Sequence, residues 1–262
     1  MRPSRLFPET SIFLWIIVPV ILFSVPLRAA EEEEAAQVKE DRPVSFAFEV
    51  DVSSHYLWRG FVVNNGPVLQ PLASLSVHDF TLNLWSNFVL EEDGHQGKFT
   101  EVDPSLDYYV QWGRLEIQPS FEYFFYPNLT DSSSTGELSV WFAYPVGPVR
   151  IFTDQVVDVV RYPGAYFGDI GVDFERDLLS RLKLTTSATL AWATAKYNDA
   201  NAGVAKASLN AFYWDFGFVY EPFKFFYLRP HMQVSVLLDP DLRRASLDPT
   251  VVSGGLALGM SF

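Results

Sequence analysis

From residue 44 onward, apolar and polar positions alternate with a period of two, the signature of strands whose faces meet different surroundings. In 44–52, Val44, Phe46, Phe48, Val50 and Val52 are separated by Ser45, Ala47, Glu49 and Asp51. In 101–112, Val102, Pro104, Leu106, Tyr108, Val110 and Trp112 oppose Glu101, Asp103, Ser105, Asp107, Tyr109 and Gln111. A helix would scatter these carboxylates around its circumference, so the runs read as strands. Twelve are predicted, at about 44–54, 67–77, 80–90, 100–112, 114–125, 136–144, 148–158, 165–175, 182–194, 206–220, 225–238 and 250–262. Alternation is weakest in 148–158 and 206–213, so the expectation is about 12 strands within a range of 10–14.

The connections alternate in length. Short ones fall at His78-Asp79, Gly113, Pro145 to Gly147, 176–181 and Glu221 to Lys224. Longer polar ones fall at 55–66, 91–99, 126–135, 159–164, 195–205 and 239–249. Five short and six long connections fit an all-β, transmembrane up-and-down antiparallel β-barrel with both termini on the short-turn side, as in outer-membrane barrels. Such strands need about 9–11 residues to cross the hydrocarbon, a length these runs supply. A soluble β-sandwich also alternates. Two features speak for lipid instead. Aromatic residues on the apolar face cluster near strand ends, as two interfacial girdles would require: Tyr56, Trp58, Trp112, Tyr123, Tyr144, Trp192 and Tyr220. The opposite face is heavily charged, and in a small soluble barrel it would be the dry core.

Ahead of the strands, Arg2 and Arg5 precede an uncharged run from Ile12 to Phe23 and the small-residue end of 24–30, the order of a cleaved signal peptide. The expected organisation is a signal peptide over 1–30, a polar periplasmic lead-in over 31–43 and the barrel over 44–262. Removing 1–30 deletes three Arg and one Glu, leaving 16 basic against 31 acidic residues. That charge argues against nucleic acid as a partner. The sequence has no Cys, which excludes disulfides, thiolate zinc sites and cysteine nucleophiles.

Residues 54–61 read Ser54-His55-Tyr56-Leu57-Trp58-Arg59-Gly60-Phe61, followed by Gly66-Pro67-Val68-Leu69-Gln70, and Tyr123-Phe124-Phe125-Tyr126-Pro127 closes a later strand. These segments resemble the uncharacterised proteobacterial outer-membrane proteins known as Gcw_chp or TorF-like. The resemblance implies a barrel of 10–12 strands and no settled activity. The last strand, closing on Phe262, resembles the assembly signal read by the outer-membrane insertion machinery of Gram-negative bacteria. The motif around residue 56 is expected to prolong the first strand, with Tyr56 and Trp58 toward lipid and Arg59 inward, paired with lumen carboxylates.

On this register the lumen carries the acids Glu49, Asp51, Glu101, Asp103, Asp107, Glu116, Glu122, Glu137, Asp154, Asp169, Asp173 and Asp215, and the bases Arg59, Arg114, Arg150, Lys183 and Arg229. A water-filled lumen of this charge favours cations. Twelve strands lie between a side-chain-filled interior and an open channel, so a narrow channel and a plugged interior both remain open. The leading expectation is a passive porin-like channel for small cations or neutral solutes, in contact with outer-membrane lipid and lipopolysaccharide. The alternatives are a closed structural or adhesive barrel and a lipid-modifying enzyme. A serine hydrolase needs Ser and His within reach. His231 and Ser235 share a face but stand about 13 Å apart along their strand. No catalytic residue, metal site or cofactor is expected.

Overall fold

A computed structural model describes residues 44–91, 94–130 and 132–262. The expected signal peptide and lead-in lie outside these residues. In chain order come β1 (Val44–Ser53), a small hairpin of β2 (Tyr56–Trp58) and β3 (Phe61–Asn64), then β4 (Val68–Val77), β5 (Phe80–Val89) and β6 (Phe99–Tyr108). They are followed by β7 (Val110–Trp112), β8 (Leu115–Phe124), β9 (Thr135–Val146), β10 (Val149–Asp158), β11 (Tyr166–Leu179) and β12 (Leu182–Ala193). The chain closes with α1 (Ala195–Ala202), β13 (Ser208–Phe223), β14 (Phe226–Leu237), α2 (Pro240–Ala245) and β15 (Thr250–Ser261).

Leaving the β2–β3 hairpin aside, and with β6 and β7 forming one crossing, these strands make a closed antiparallel barrel of twelve. Neighbours pair in chain order, and β1 pairs β15 from Ala47↔Ser261 to Ser53↔Gly255. Closure is what lipid demands, because an unpaired sheet edge has no water to bond. Outward side chains such as Phe80, Leu82, Leu84, Leu106, Ile170, Val172, Leu256 and Leu258 are exposed all round the barrel. Soluble monomers rarely expose a contiguous apolar band of this extent, whereas hydrocarbon covers it.

The crossing expected at 100–112 is interrupted at Tyr109. The register is the same on both sides of the break, so a rung is missing rather than a residue inserted. Pro119 would face Tyr108 there, and it has no N–H to donate. Pro71 and Pro230 leave equivalent gaps between β4 and β5 and between β13 and β14.

Three expectations are corrected. The turn read at 176–181 shrinks to Ser180-Arg181, because Arg176 and Asp177 continue the ladder opposite Leu184 and Lys183. The turn read at 221–224 shrinks to Lys224-Phe225. The polar connections 195–205 and 239–249 each contain a helix. In α2 the Asp239 side chain caps the backbone N–H groups of Asp241 and Leu242, with Pro240 in the first turn. Beside α1, Gly203 takes the left-handed conformation that ends a helix. These helices bring Tyr197 and Leu242 into an apolar cluster with Val156, Phe167, Tyr213 and Leu237. The molecule's dry core therefore sits inside the long-loop end of the bore.

Candidate functional site: the lumen

A fourth departure places Tyr56 and Trp58. They do not extend β1 toward lipid. The chain reverses at Arg59 and Gly60, both with positive φ (48° and 94°), and β2 and β3 fold inward as a hairpin. Glycine is required at the tip, since a Cβ on Gly60 would stand 2.6 Å from the Ala211 Cβ. Ser235 Oγ donates to the Gly60 carbonyl (3.3 Å), so the tip touches β13 and β14. Tyr56 is only 6% exposed and packs on the lumen-facing Trp85. Trp58 meets Phe124 edge-on, with ring centroids 6.0 Å apart. Neither residue belongs to a girdle. The physical reason is that an apolar ring gains as much from a dry lumen as from lipid.

The hairpin carries Arg59 across the mouth. Its guanidinium makes a bidentate pair with Glu137 (Nη1–Oε1 3.1 Å, Nη2–Oε2 2.7 Å) and donates to the Tyr197 hydroxyl (3.1 Å). It also lies over the rings of Trp58 at 4.5 Å and Phe167 at 4.6 Å. A planar, delocalised cation suits this double role, with edges to oxygen and faces to rings. Tyr197, carried by α1, is 1% exposed. The long-loop end of the bore is thus narrowed by a hairpin, a helix and one ion pair.

The short-turn half is built differently. Arg150 bridges Asp173 (3.0 Å) and Glu116 (3.2 Å) and lies over Trp141 at 5.2 Å. Arg229 donates to Glu49 (2.7 Å), which also accepts from the Tyr227 hydroxyl. His231 meets Asp51 (2.8 Å) and Lys183 meets Glu175 (3.3 Å). Gly259 makes room for Tyr227, whose ring lies 2.1 Å from where a Cβ would be. A cavity of about 350 Å³ opens here, lined by Arg150, Asp173, Asp215, Arg229 and His231 among others.

Other acids of the predicted lining face the lumen without an ion pair among the described residues. Asp107 accepts from Asn83 (2.7 Å) and from the Ser120 hydroxyl. Asp169 accepts the backbone N–H of Asp154 (2.9 Å), and Asp215 accepts from Gln233 (2.9 Å). Glu101, Asp103 and Glu122 gather beside Tyr56 and Phe124, around two adjoining cavities.

Arg114 does not line the lumen. It follows the tight turn at Gly113 and lies on the rim, over Tyr144 at 5.3 Å, donating to the Pro145 carbonyl (2.9 Å). Trp112, 77% exposed, stands outward at the short-turn end with Tyr144 and Tyr220. Tyr123 and Trp192 lie on the outward parity nearer the long loops, opposite Gly136 and Gly168. Phe262 stacks on Phe225 with ring centroids 5.8 Å apart.

Sequence reasoning missed the lumen aromatics Trp85, Trp141, Phe152, Phe167 and Tyr197. The parity of Trp85 with Asn83 and Asn87 was the available signal for one of them. Outside the wall, Lys206 clasps both Asp239 (2.6 Å) and Asp241 (2.8 Å). Hydrogen bonding to Lys206 holds both carboxyls below their ordinary range.

Among solved structures, the fold is similar to the KdgM porin in complex with disordered oligogalacturonate. The TM-score is 0.51 at 11% identity, over 83% of this chain and 99% of that one. It is also similar to the NanC porin, with a TM-score of 0.53 at 12% identity, over 82% of this chain and 98% of that one. At these identities the likeness establishes the fold. No protein-family model matches the chain, and no curated protein matches it.

Proposed function

We propose that this chain is an outer-membrane channel of porin type in a Gram-negative bacterium, narrow at its long-loop end and favouring cations and small neutral solutes. One observation carries the reading. The lumen bases are committed to carboxylates, Arg59 to Glu137, Arg150 to Glu116 and Asp173, Arg229 to Glu49, while Glu101, Asp103, Asp107, Glu122 and Asp215 face no ion-paired cation among the described residues. Rings of unpaired carboxylates select against anions. The oligogalacturonate named for the KdgM porin is a polyanion, so this wall suits a different cargo.

The proposal assigns no reaction, cofactor or nucleic acid to the barrel. Its surroundings are lipid and lipopolysaccharide against the apolar band, and the insertion machinery would engage the amphipathic β15 with Phe262. The inward hairpin favours a second reading, a barrel closed at rest.

The test is planar-bilayer recording of the refolded protein, with the reversal potential taken across a KCl gradient. Discrete steps with cation preference are expected, and the Asp103→Asn/Asp107→Asn double variant lowers that preference. Steps with anion preference overturn the reading. A folded, heat-modifiable barrel that stays silent replaces it with the closed barrel.

A further inference from the structure

Between the hairpin and the wall of β5, β6 and β8 lies a cavity of about 380 Å³ whose lining differs from the rest of the bore. Four aromatic rings surround it, Tyr56, Trp58, Trp85 and Phe124, together with the carboxylates Asp103 and Glu122. Tyr56 and Trp85 tilt toward each other at 51° with centroids 5.3 Å apart, and Trp58 meets Phe124 at 72°. Asp103 is 3% exposed, and its carboxyl stands within hydrogen-bond reach of the Glu101 carboxyl behind it. The cavity thus has an acidic wall of Asp103 and Glu122 facing a wall of rings. Arg59 covers one face of Trp58 but spends its donors on Glu137 and Tyr197. The cavity wall itself supplies no cation.

We propose that this cavity is a binding site for organic ammonium ions, the class of cation that aromatic faces and a carboxylate recognise together. The choice over an inorganic ion follows from the donors. A hard divalent cation needs six to eight oxygens around it, and no group of three acidic or histidine side chains among the described residues is placed to hold a metal. Alkylammonium ions are weakly hydrated and gain from ring faces what they lose from water. The proposal rests on the cation reading of the lumen and specifies its substrate class.

The experiment titrates the refolded protein with tetramethylammonium chloride while tryptophan fluorescence is recorded, against KCl at equal ionic strength. A saturable change with tetramethylammonium alone is expected. Asp103→Asn, which keeps size and shape, weakens it tenfold or more, as does Trp85→Leu, while Trp112→Leu on the outer rim does not. Should Trp85→Leu fail to refold, Trp85→Phe retains a ring face and keeps saturable binding, weaker than in the parent. The same response to KCl, no saturation, or unchanged affinity in Asp103→Asn overturns the site. Binding is read without conduction, so a silent bilayer with saturable binding removes the channel and keeps the site. Conduction without binding removes the site alone.

Discussion

At the long-loop end Arg59 meets Glu137 among the rings of Trp58, Phe167 and Tyr197, with side chains 15% and 6% exposed. At the short-turn end Arg150 meets Glu116 across a wetter wall, at 37% and 20%. Arg229 and Glu49 are intermediate, at 33% and 18%. The chemistry is the same and the setting is not. In the dry mouth, desolvation makes each charge depend on its partner, so the pair acts as a lock whose halves cannot be removed singly. In the wet half, water and salt stand in for a lost partner, so the pairs shape the field of the bore more than they hold it together.

Removing half of the lock should have the largest effect. Arg59→Ala leaves Glu137 buried and unpaired, and the denaturant midpoint of the refolded barrel should fall by the equivalent of about 3–5 kcal/mol. The Arg59→Met/Glu137→Gln double variant should recover most of that loss. A double variant no better than the single one would mean that the rings, and not the pair, close the mouth.

Replacing residues 57–63 with a Gly-Ser segment of equal length removes the hairpin's side chains without cutting the wall. Single-channel conductance should then rise severalfold while cation preference persists. An unchanged conductance would place the constriction elsewhere.

In the wet half, Arg150→Ala should lower stability by no more than about 1 kcal/mol. The loss should shrink further at high salt, checked by repeating the denaturation at two ionic strengths. A salt-independent loss as large as that of Arg59→Ala would erase the contrast between the two ends.

The smallest effect belongs to the clasp outside the wall. Hydrogen bonding to Lys206 lowers the Asp239 carboxyl in the folded state, so the clasp's contribution is full above the ordinary aspartate pKa, about 3.9. It is lost as the pH falls through the lowered folded value. Hydrogen exchange of the α2 amides should therefore accelerate in acid in the parent, and Lys206→Ala should show the faster exchange already at neutral pH.

The wall was legible because alternation reports every position twice, once by the residue and once by its neighbours. Where it failed, a side chain's polarity no longer matched a face. Arg176, Asp177 and Glu221 read as turn residues, yet pairing in a ladder uses the backbone and tolerates charge once a strand leaves the hydrocarbon. Tyr56 and Trp58 failed for a deeper reason: lipid and a dry lumen are both apolar, and alternation cannot say which one a ring enters. Of the candidate lining, the carboxylates followed from parity alone, whereas the Arg59–Glu137 pair required knowing that the chain reverses at Gly60. The helix in 239–249 did leave a signal, Asp239 followed by Pro240 with Leu242 behind, inside a stretch whose overall polarity suggested a plain loop.

The hairpin that narrows the mouth is continuous with β1 at one end and β4 at the other, and both strands are fixed in the wall. Its hold on the bore is therefore intramolecular. A tether this short keeps a segment at an effective concentration in the millimolar range or above, whatever the amount of protein present. Washing, dilution and competing proteins leave that figure unchanged. Any closure it imposes is first-order in the barrel alone, and open and shut dwell times are the same for a single molecule in a bilayer as for a crowded membrane.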